Sequence, residues 1–390
     1  MADRIFDRIR AIDTDTHITE PPDVWTARVS TKKWGDAVPH VRRVNGRDLW
    51  FIRDQMAGAP GFTTMAGFDG SFPDSPLGFD DIPASAYDAR RRLEHMDAEG
   101  IYAQVLYPNV GGFGSGGFLR LKEPALMLEC VRAYNDFLVE WCSADPNRLV
   151  PVAAMPFWDV KACVEEIDRA VAKGHRAVLA CSQPDAWGEP PLASPYWDPF
   201  WAAAQEAGVP ISFHIGAGDL SDLIKDPIGI GTRANFARVS SMIFMQNVTC
   251  IADLIFGGVC HRFPRLKMVS VESGVGWIPS YLEAADWQFV NSQTRKEHPE
   301  YDLLPSEYFA RQIYGCFWFE CDGLSSALEQ IPGNLLWETD FPHPTCQHPG
   351  LQGGLTEHPA DYAERAFAGV PEATIEKVLH GTAASLYGIQ

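Results

Sequence analysis

The chain has 390 residues, with 32 Lys plus Arg against 51 Asp plus Glu, which sets a formal charge of -19 and a pI near 4.9. That acidic surplus excludes nucleic acid as a main partner, because phosphate contacts need clustered cations. Hydrophobic residues at 46 % and charged residues at 21 % exclude disordered and fibrous classes.

The opening MADRIFDRIR carries charges where a signal peptide needs an apolar stretch, and no run of residues nears the ~18 apolar positions of a membrane span. A soluble, cytoplasmic protein with no membrane partner is expected. A strand-like run at 11–15 comes first, followed by an interruption at 26–84 rich in Gly, Pro and Asp. Inside it, 41–52 reads as a β-hairpin turning at Asn45-Gly46. The interruption has few apolar residues of its own and is expected to lie over the mouth of the fold rather than to form a second domain.

Ser85-Ala-Tyr-Asp88 is a capping-box pattern opening a helix that ends at Gly100. Strand-like runs then follow at 102–107, 150–155, 177–181, 211–215, 267–271, 315–321 and 335–339. Between them lie helical segments: Leu121, Leu128, Val131, Tyr134, Leu138 and Trp141 share a face, and others are expected at 160–172, 199–206, 239–256 and 279–290. Strand–helix alternation implies a parallel sheet, and eight copies imply an α/β fold of the closed (β/α)8 barrel type, one domain over 1–390. Nine singly scattered Cys with no CxxC pair indicate reduced thiols, neither a disulfide framework nor a zinc ribbon.

Ligand-type residues gather at the C-terminal ends of these strands, where barrel active sites form. Asp13-Thr-Asp15-Thr-His17 closes the first strand, and a two-residue period places Asp13, Asp15 and His17 on one face. His214 closes the fifth, ahead of Gly216 and Gly218. Glu272 ends the sixth, and Glu338-Thr-Asp340-Phe341-Pro-His343 ends the last. Asp15, His17, His214 and Asp340 on a single divalent ion would leave an open position for water or substrate, as a catalytic site requires. Glu272 reads equally as an acid/base, as a group orienting a ligand His, or as a strand-end salt bridge. His343 reads as a residue behind the ligands or facing substrate. Aromatic residues near the loops, Trp277 and Phe341 among them, point to a partly apolar small molecule, and Arg53, Arg120 and Arg233 are candidates to meet its carboxylate. The Gly-rich 111–117 lacks Lys and Walker spacing, and reads as a mobile active-site loop.

The ordered set Asp15-Thr-His17 with Glu20-Pro21, Phe213-His214, Phe263-Pro264 with Glu272-Ser-Gly-Val-Gly-Trp277, and Thr339-Asp340-Phe-Pro-His343 resembles the amidohydrolase superfamily. More narrowly it is similar to the amidohydrolase 2 group, which includes aminocarboxymuconate semialdehyde decarboxylase and gamma-resorcylate decarboxylase. The resemblance implies a (β/α)8 barrel holding one Zn2+ or Mn2+ on Asp15, His17, His214 and Asp340. Asp15-x-His17 departs from the superfamily's commoner His-x-His, and the fourth strand lacks a Lys that would bridge two metals, so one ion is expected. Glu272 stands where several decarboxylases place a His. The resemblance implies decarboxylation of a small aromatic or unsaturated carboxylic acid, with hydrolysis of an amide, ester, lactone or carbon-carbon bond as the alternative. A non-catalytic metal-binding barrel is a remote third. A homodimer or higher homo-oligomer is expected, because two-fold assemblies are the commonest.

Overall fold

The computed structural model describes residues 4–70, 72–226, 228–348 and 357–390. Eight parallel strands form one sheet: β1 (Ile12–His17), β5 (Ala103–Tyr107), β6 (Leu149–Ala154), β7 (Ala177–Leu179), β8 (Ile211–His214), β9 (Met268–Val271), β10 (Ile313–Phe317) and β11 (Leu335–Trp337). Every residue of β1, β5, β6, β7, β8, β9 and β11 is buried, as expected where helices cover one face and barrel side chains fill the other. That is why these strands stood out as short continuous apolar runs.

The sheet closes through the chain just beyond β11. Asp340 N donates to Asp15 O at 3.0 Å, His17 N donates to Phe341 O at 2.7 Å, and Thr14 Oγ1 donates to Trp337 O at 2.8 Å. Closure thus draws residues of the last strand's end against those of the first. At the opposite end, Tyr102 Oη and Arg10 donate to Gln390 O, and Ala383 and Tyr387 of the helix Thr382–Tyr387 join the inner core with Ile12, Val105 and Leu336. The bottom of the barrel is sealed, so access is from the C-terminal strand ends.

Helix limits follow local chemistry. The helix Ala89–Glu99 is capped by Asp88, whose carboxylate accepts from Arg90 N and Arg91 N, and ends at Gly100 with φ 76°. Asp88 rather than Ser85 is the cap, because Ser85 lies in a preceding 3-10 turn, Ala84–Ala86. The segment expected as one helix at 239–256 is two, Thr232–Met242 and Met245–Phe256. As a 25-residue stretch, Thr232–Phe256 is long and apolar enough to cross a membrane by length and composition. Its Phe236, Val239, Ile243 and Phe244 line a cavity, which accounts for their apolar character without a bilayer.

The interruption after β1 contains a small antiparallel sheet, β2 (His40–Val44), β3 (Arg47–Ile52) and β4 (Gln55–Gly58). Asn45 (φ 50°) and Gly46 (φ 80°) form its expected two-residue turn, which needs two positive φ values. Beyond β4 the chain reaches the strand ends: Met65 N and Ala66 N donate to Pro342 O at 2.8 and 3.2 Å, and Thr64 meets Thr19 at 2.6 Å between hydroxyls.

Candidate metal centre and active-site cavity

β1 does not keep a strict alternation. Asp13 pairs with Gln104 and Thr16 with Leu106, so three steps on β1 match two on β5. The extra residue re-aims the strand's end. Asp13 therefore leaves the cluster it was expected to join and accepts from Thr339 N (2.9 Å), Thr339 Oγ1 (2.6 Å) and Gln104 Nε2 (3.1 Å). Burial raises its pKa to about 7 against those three hydrogen bonds.

Asp15 and His17 do converge with His214 and Asp340. His17 Nε2 lies 3.4 Å from Asp15 Oδ1 and 3.5 Å from Asp340 Oδ1, and His214 Nε2 lies 3.4 Å from Asp15 Oδ2 and 3.6 Å from Glu272 Oε2. His17 Nδ1 faces Pro108 O at 3.1 Å and His214 Nδ1 faces Ile215 O at 2.7 Å. A carbonyl only accepts, so each Nδ1 carries a proton and each Nε2 is left to offer its lone pair. Those two lone pairs are 3.1 Å apart. Both Asp15 oxygens and Asp340 Oδ1 are buried without a hydrogen bond.

Lone pairs and unsatisfied carboxylates aimed at one point need a cation. The donor set, two imidazoles and two carboxylates, suits a divalent transition ion such as Zn2+ or Mn2+. The pKa directions agree: burial, then the charge of Asp13, pushes Asp15 well up; burial, then Asp15, pushes Asp340 well up; and burial, then His343, pushes His17 well down.

Around this centre stand Glu272, His343, Asn109 and Thr345. Glu272 is held up strongly by burial and next by Asp340. His343 stacks on His17 with centroids 3.7 Å apart, places Nδ1 2.7 Å from Asp340 Oδ1, and has Nε2 2.7 Å from Asn109 Oδ1. Burial lowers its pKa to about 4. Asn109 and Thr345 were not singled out from the sequence, and no local signal marks them: each reaches the site only because its loop ends there.

Beside the centre lies a cavity of about 950 Å³ lined by Phe62, Phe113, Phe236, Ile243, Trp318 and Phe319 and, among its polar residues, by Glu272, His343 and Thr345. Several expected contacts lie elsewhere. Trp277 is at the start of the helix Ile278–Asn291, and its indole donates to Ser273 O (3.1 Å) and Gly274 O (3.0 Å), outside the cavity lining. Phe341 follows inward-facing Asp340, so it turns outward, between His95 (4.4 Å between ring centroids) and the Arg92 guanidinium (4.7 Å). Arg53 occupies the β3–β4 turn and donates to Leu121 O at 2.8 Å, tying the inserted sheet to the neighbouring loop. Arg233 is exposed near the start of Thr232–Met242 and is not a lining residue. Among the described residues the cation in the lining is Arg365, ion-paired with Glu357.

The Gly-rich loop is packed. A Cβ on Gly114 would lie 2.9 Å from Cys181 Cα, and one on Gly117 2.9 Å from Gly111 O. Glycine there permits close backbone approach, which seats Phe113 over His214 with centroids 4.0 Å apart.

These features define a metal-dependent barrel enzyme site. The chain belongs to the amidohydrolase family, whose "Amidohydrolase" model matches residues 12–389. It is 31 % identical over 280 residues to gamma-resorcylate decarboxylase of Rhizobium sp. (strain MTP-10005), covering 66 % of this chain and 77 % of that one. Among solved structures it is similar to an amidohydrolase from Mycobacterium avium subsp. paratuberculosis, with TM-score 0.76, 23 % identity and coverage of 97 % and 99 %. It also resembles a Polaromonas dihydroxybenzoic acid decarboxylase with bound manganese and 2-nitroresorcinol, with TM-score 0.60, 19 % identity and coverage of 97 % and 96 %.

Proposed function

We propose that the protein is a metal-dependent decarboxylase of an aromatic carboxylic acid. The observation that carries this reading is the convergence of Asp15, His17, His214 and Asp340 next to an apolar cavity that Glu272 and His343 line. A divalent ion held there supplies Lewis-acid polarisation of substrate oxygens. Phe113 and the other aromatic walls seat the ring and exclude water. Asp340 delivers a proton to the ring carbon as the bond from that carbon to the carboxyl carbon breaks and CO2 leaves. His343 Nδ1, 2.7 Å from Asp340 Oδ1, returns the proton from solvent. Glu272 orients Thr345 and His214.

The relative from Rhizobium supports decarboxylation over hydrolysis. The cavity supports a substrate bulkier than one substituted ring, since benzene needs only about 150 Å³ and the space here is about 950 Å³. We take residues 1–390 as one functional unit with 26–84 over the mouth. We read it as cytoplasmic, on the support of nine free cysteines, and as a homodimer or higher homo-oligomer, on the support of exposed Trp287, Val290, Met242 and Met245.

The test is turnover of 2,6-dihydroxybenzoate and a panel of aromatic and unsaturated acids by metal-loaded protein, with CO2 and hydrolysis products scored together. Chelator-sensitive CO2 release restored by Mn2+ or Zn2+ is expected. Metal-dependent hydrolysis without CO2 would replace the reading with that of a hydrolase.

A further inference from the structure

A second cluster of ligand-type side chains lies behind the loop that carries Asp340. His95 and Glu99 are one turn apart on the helix Ala89–Glu99 and so share a face. His348 reaches them from the end of the loop after β11. One ligand atom from each, His95, Glu99 and His348, lies within 4.8 Å of the others. The His95 and His348 ring centroids are 5.3 Å apart, close to the 5.0 Å between His17 and His214 in the centre already described.

Among the described residues no Lys or Arg side chain is hydrogen-bonded to this cluster. Arg92, on the same helix, donates to Ser85 O, Gln104 Oε1 and His17 O instead of to Glu99. Glu99 Oε2 lies 2.6 Å from His358 Nε2, while His358 Nδ1 accepts from Ala360 N at 3.3 Å. That acceptor role puts the proton on His358 Nε2, so His358 steadies the carboxylate from outside, as outer partners of ligating carboxylates do. Burial lowers the pKa of His95 to about 4 and also lowers that of His348.

The geometry points to a second divalent-metal site, with His95, Glu99 and His348 as ligands and water completing the shell. Two imidazoles and one carboxylate select a borderline ion, Zn2+ first, over Ca2+ or Mg2+, which prefer oxygen donors. Its role is structural: the ion ties the loop of Asp340, His343 and Thr345 to the helix Ala89–Glu99, and His95 already stacks on Phe341, the residue after Asp340. This site is independent of the decarboxylase reading.

The experiment is zinc content per chain by mass spectrometry, on full-length protein loaded with Zn2+ and freed of excess by gel filtration. Two equivalents are expected for the native chain, and one each for His348→Ala, His95→Gln and the Asp15→Asn, His214→Ala double variant. In that double variant, Zn2+ is also expected to raise the melting temperature, and to lose this effect once His348→Ala is added. One equivalent in the native chain, unchanged by His348→Ala, would overturn the proposal. Because His348 is a loop residue, that variant remains informative if His95→Gln fails to fold.

Discussion

Glu272 and Asp340 meet at one hydroxyl: Thr345 Oγ1 donates to Asp340 Oδ2 at 2.8 Å and stands 3.4 Å from Glu272 Oε1. Both acids hold left-handed backbone, with φ of 53° and 58°. Such conformations cost about 1–3 kcal/mol each in non-glycine residues and persist where surrounding structure imposes them. Here Glu272 N donates to Glu338 Oε2 at 3.3 Å, and Asp340 N donates to Asp15 O as part of barrel closure. Thr345→Val removes the shared hydroxyl with little change in volume. A fall in kcat of about tenfold is expected, equivalent to ~1.4 kcal/mol, with metal content unchanged. Loss of metal in this variant would instead make Thr345 a support of the ligand set.

His343 touches Asp340 and Asn109 and lines the cavity. Replacing it with Asn should lower kcat by roughly 10²–10⁴, the range for removal of a proton-transfer group, and leave bound metal at the native level. A solvent isotope effect on kcat that is unaltered in the variant would argue against proton return through this ring.

Removing Asp15 and His214 together takes away two donors of the four. Asp15→Asn with His214→Ala should empty the centre and abolish turnover, and excess Mn2+ should not rescue it. Full native activity after chelation that is shown to strip the metal would remove the ion from the chemistry.

Glu20 links this region to pH. Its Oε1 accepts from Asn109 N (2.8 Å) and Val110 N (3.0 Å), Oε2 is buried without a partner, and burial raises the pKa from 4.5 to about 7. Between those values the folded state binds more protons than the unfolded one, so Glu20's contribution to stability falls as pH rises from about 4.5 to 7 and then levels off. The loss is on the order of 3 kcal/mol. Glu20→Gln should flatten that part of the profile. Urea unfolding of both proteins at pH 5 and pH 8 measures it, and an identical pH 5 to pH 8 difference in the two would contradict the assignment.

The size of the cavity yields a substrate comparison. 3-Hydroxy-2-naphthoate should show a KM about tenfold below that of 2-hydroxybenzoate, because the second ring adds apolar surface worth more than ~1.4 kcal/mol if buried. Phe236→Lys, which puts a charge in the lining, should erase most of that preference. Equal KM values for the two acids in the native protein would mean that the outer space is not used by substrate.

Much of the fold is legible without coordinates because a barrel strand is buried on both faces. Continuous apolar runs such as those around Val150 and Ile211 then have few other readings. Asn45-Gly46 was readable for a similar reason, since so few residue pairs accept two positive φ values. The ligand candidates were legible because Asp15, His17, His214 and Asp340 all lie at or just beyond the C-terminal ends of strands, and parallel strands all end on one side.

What the sequence by itself determined is the eight-strand alternation and the residue types at its rim. The tertiary structure decided which of them meet. A bulge in β1 diverts Asp13 to Thr339, closure sets Asp340 beside Asp15, and alternation past Asp340 turns Phe341 away from the cavity. His17 and His214 are 197 residues apart in the chain and 3.1 Å apart in space, while Asn109 and His343 are separated by 234 residues and 2.7 Å. Local propensity acts over a few residues and carries no information at such separations; only packing of the whole barrel fixes those distances.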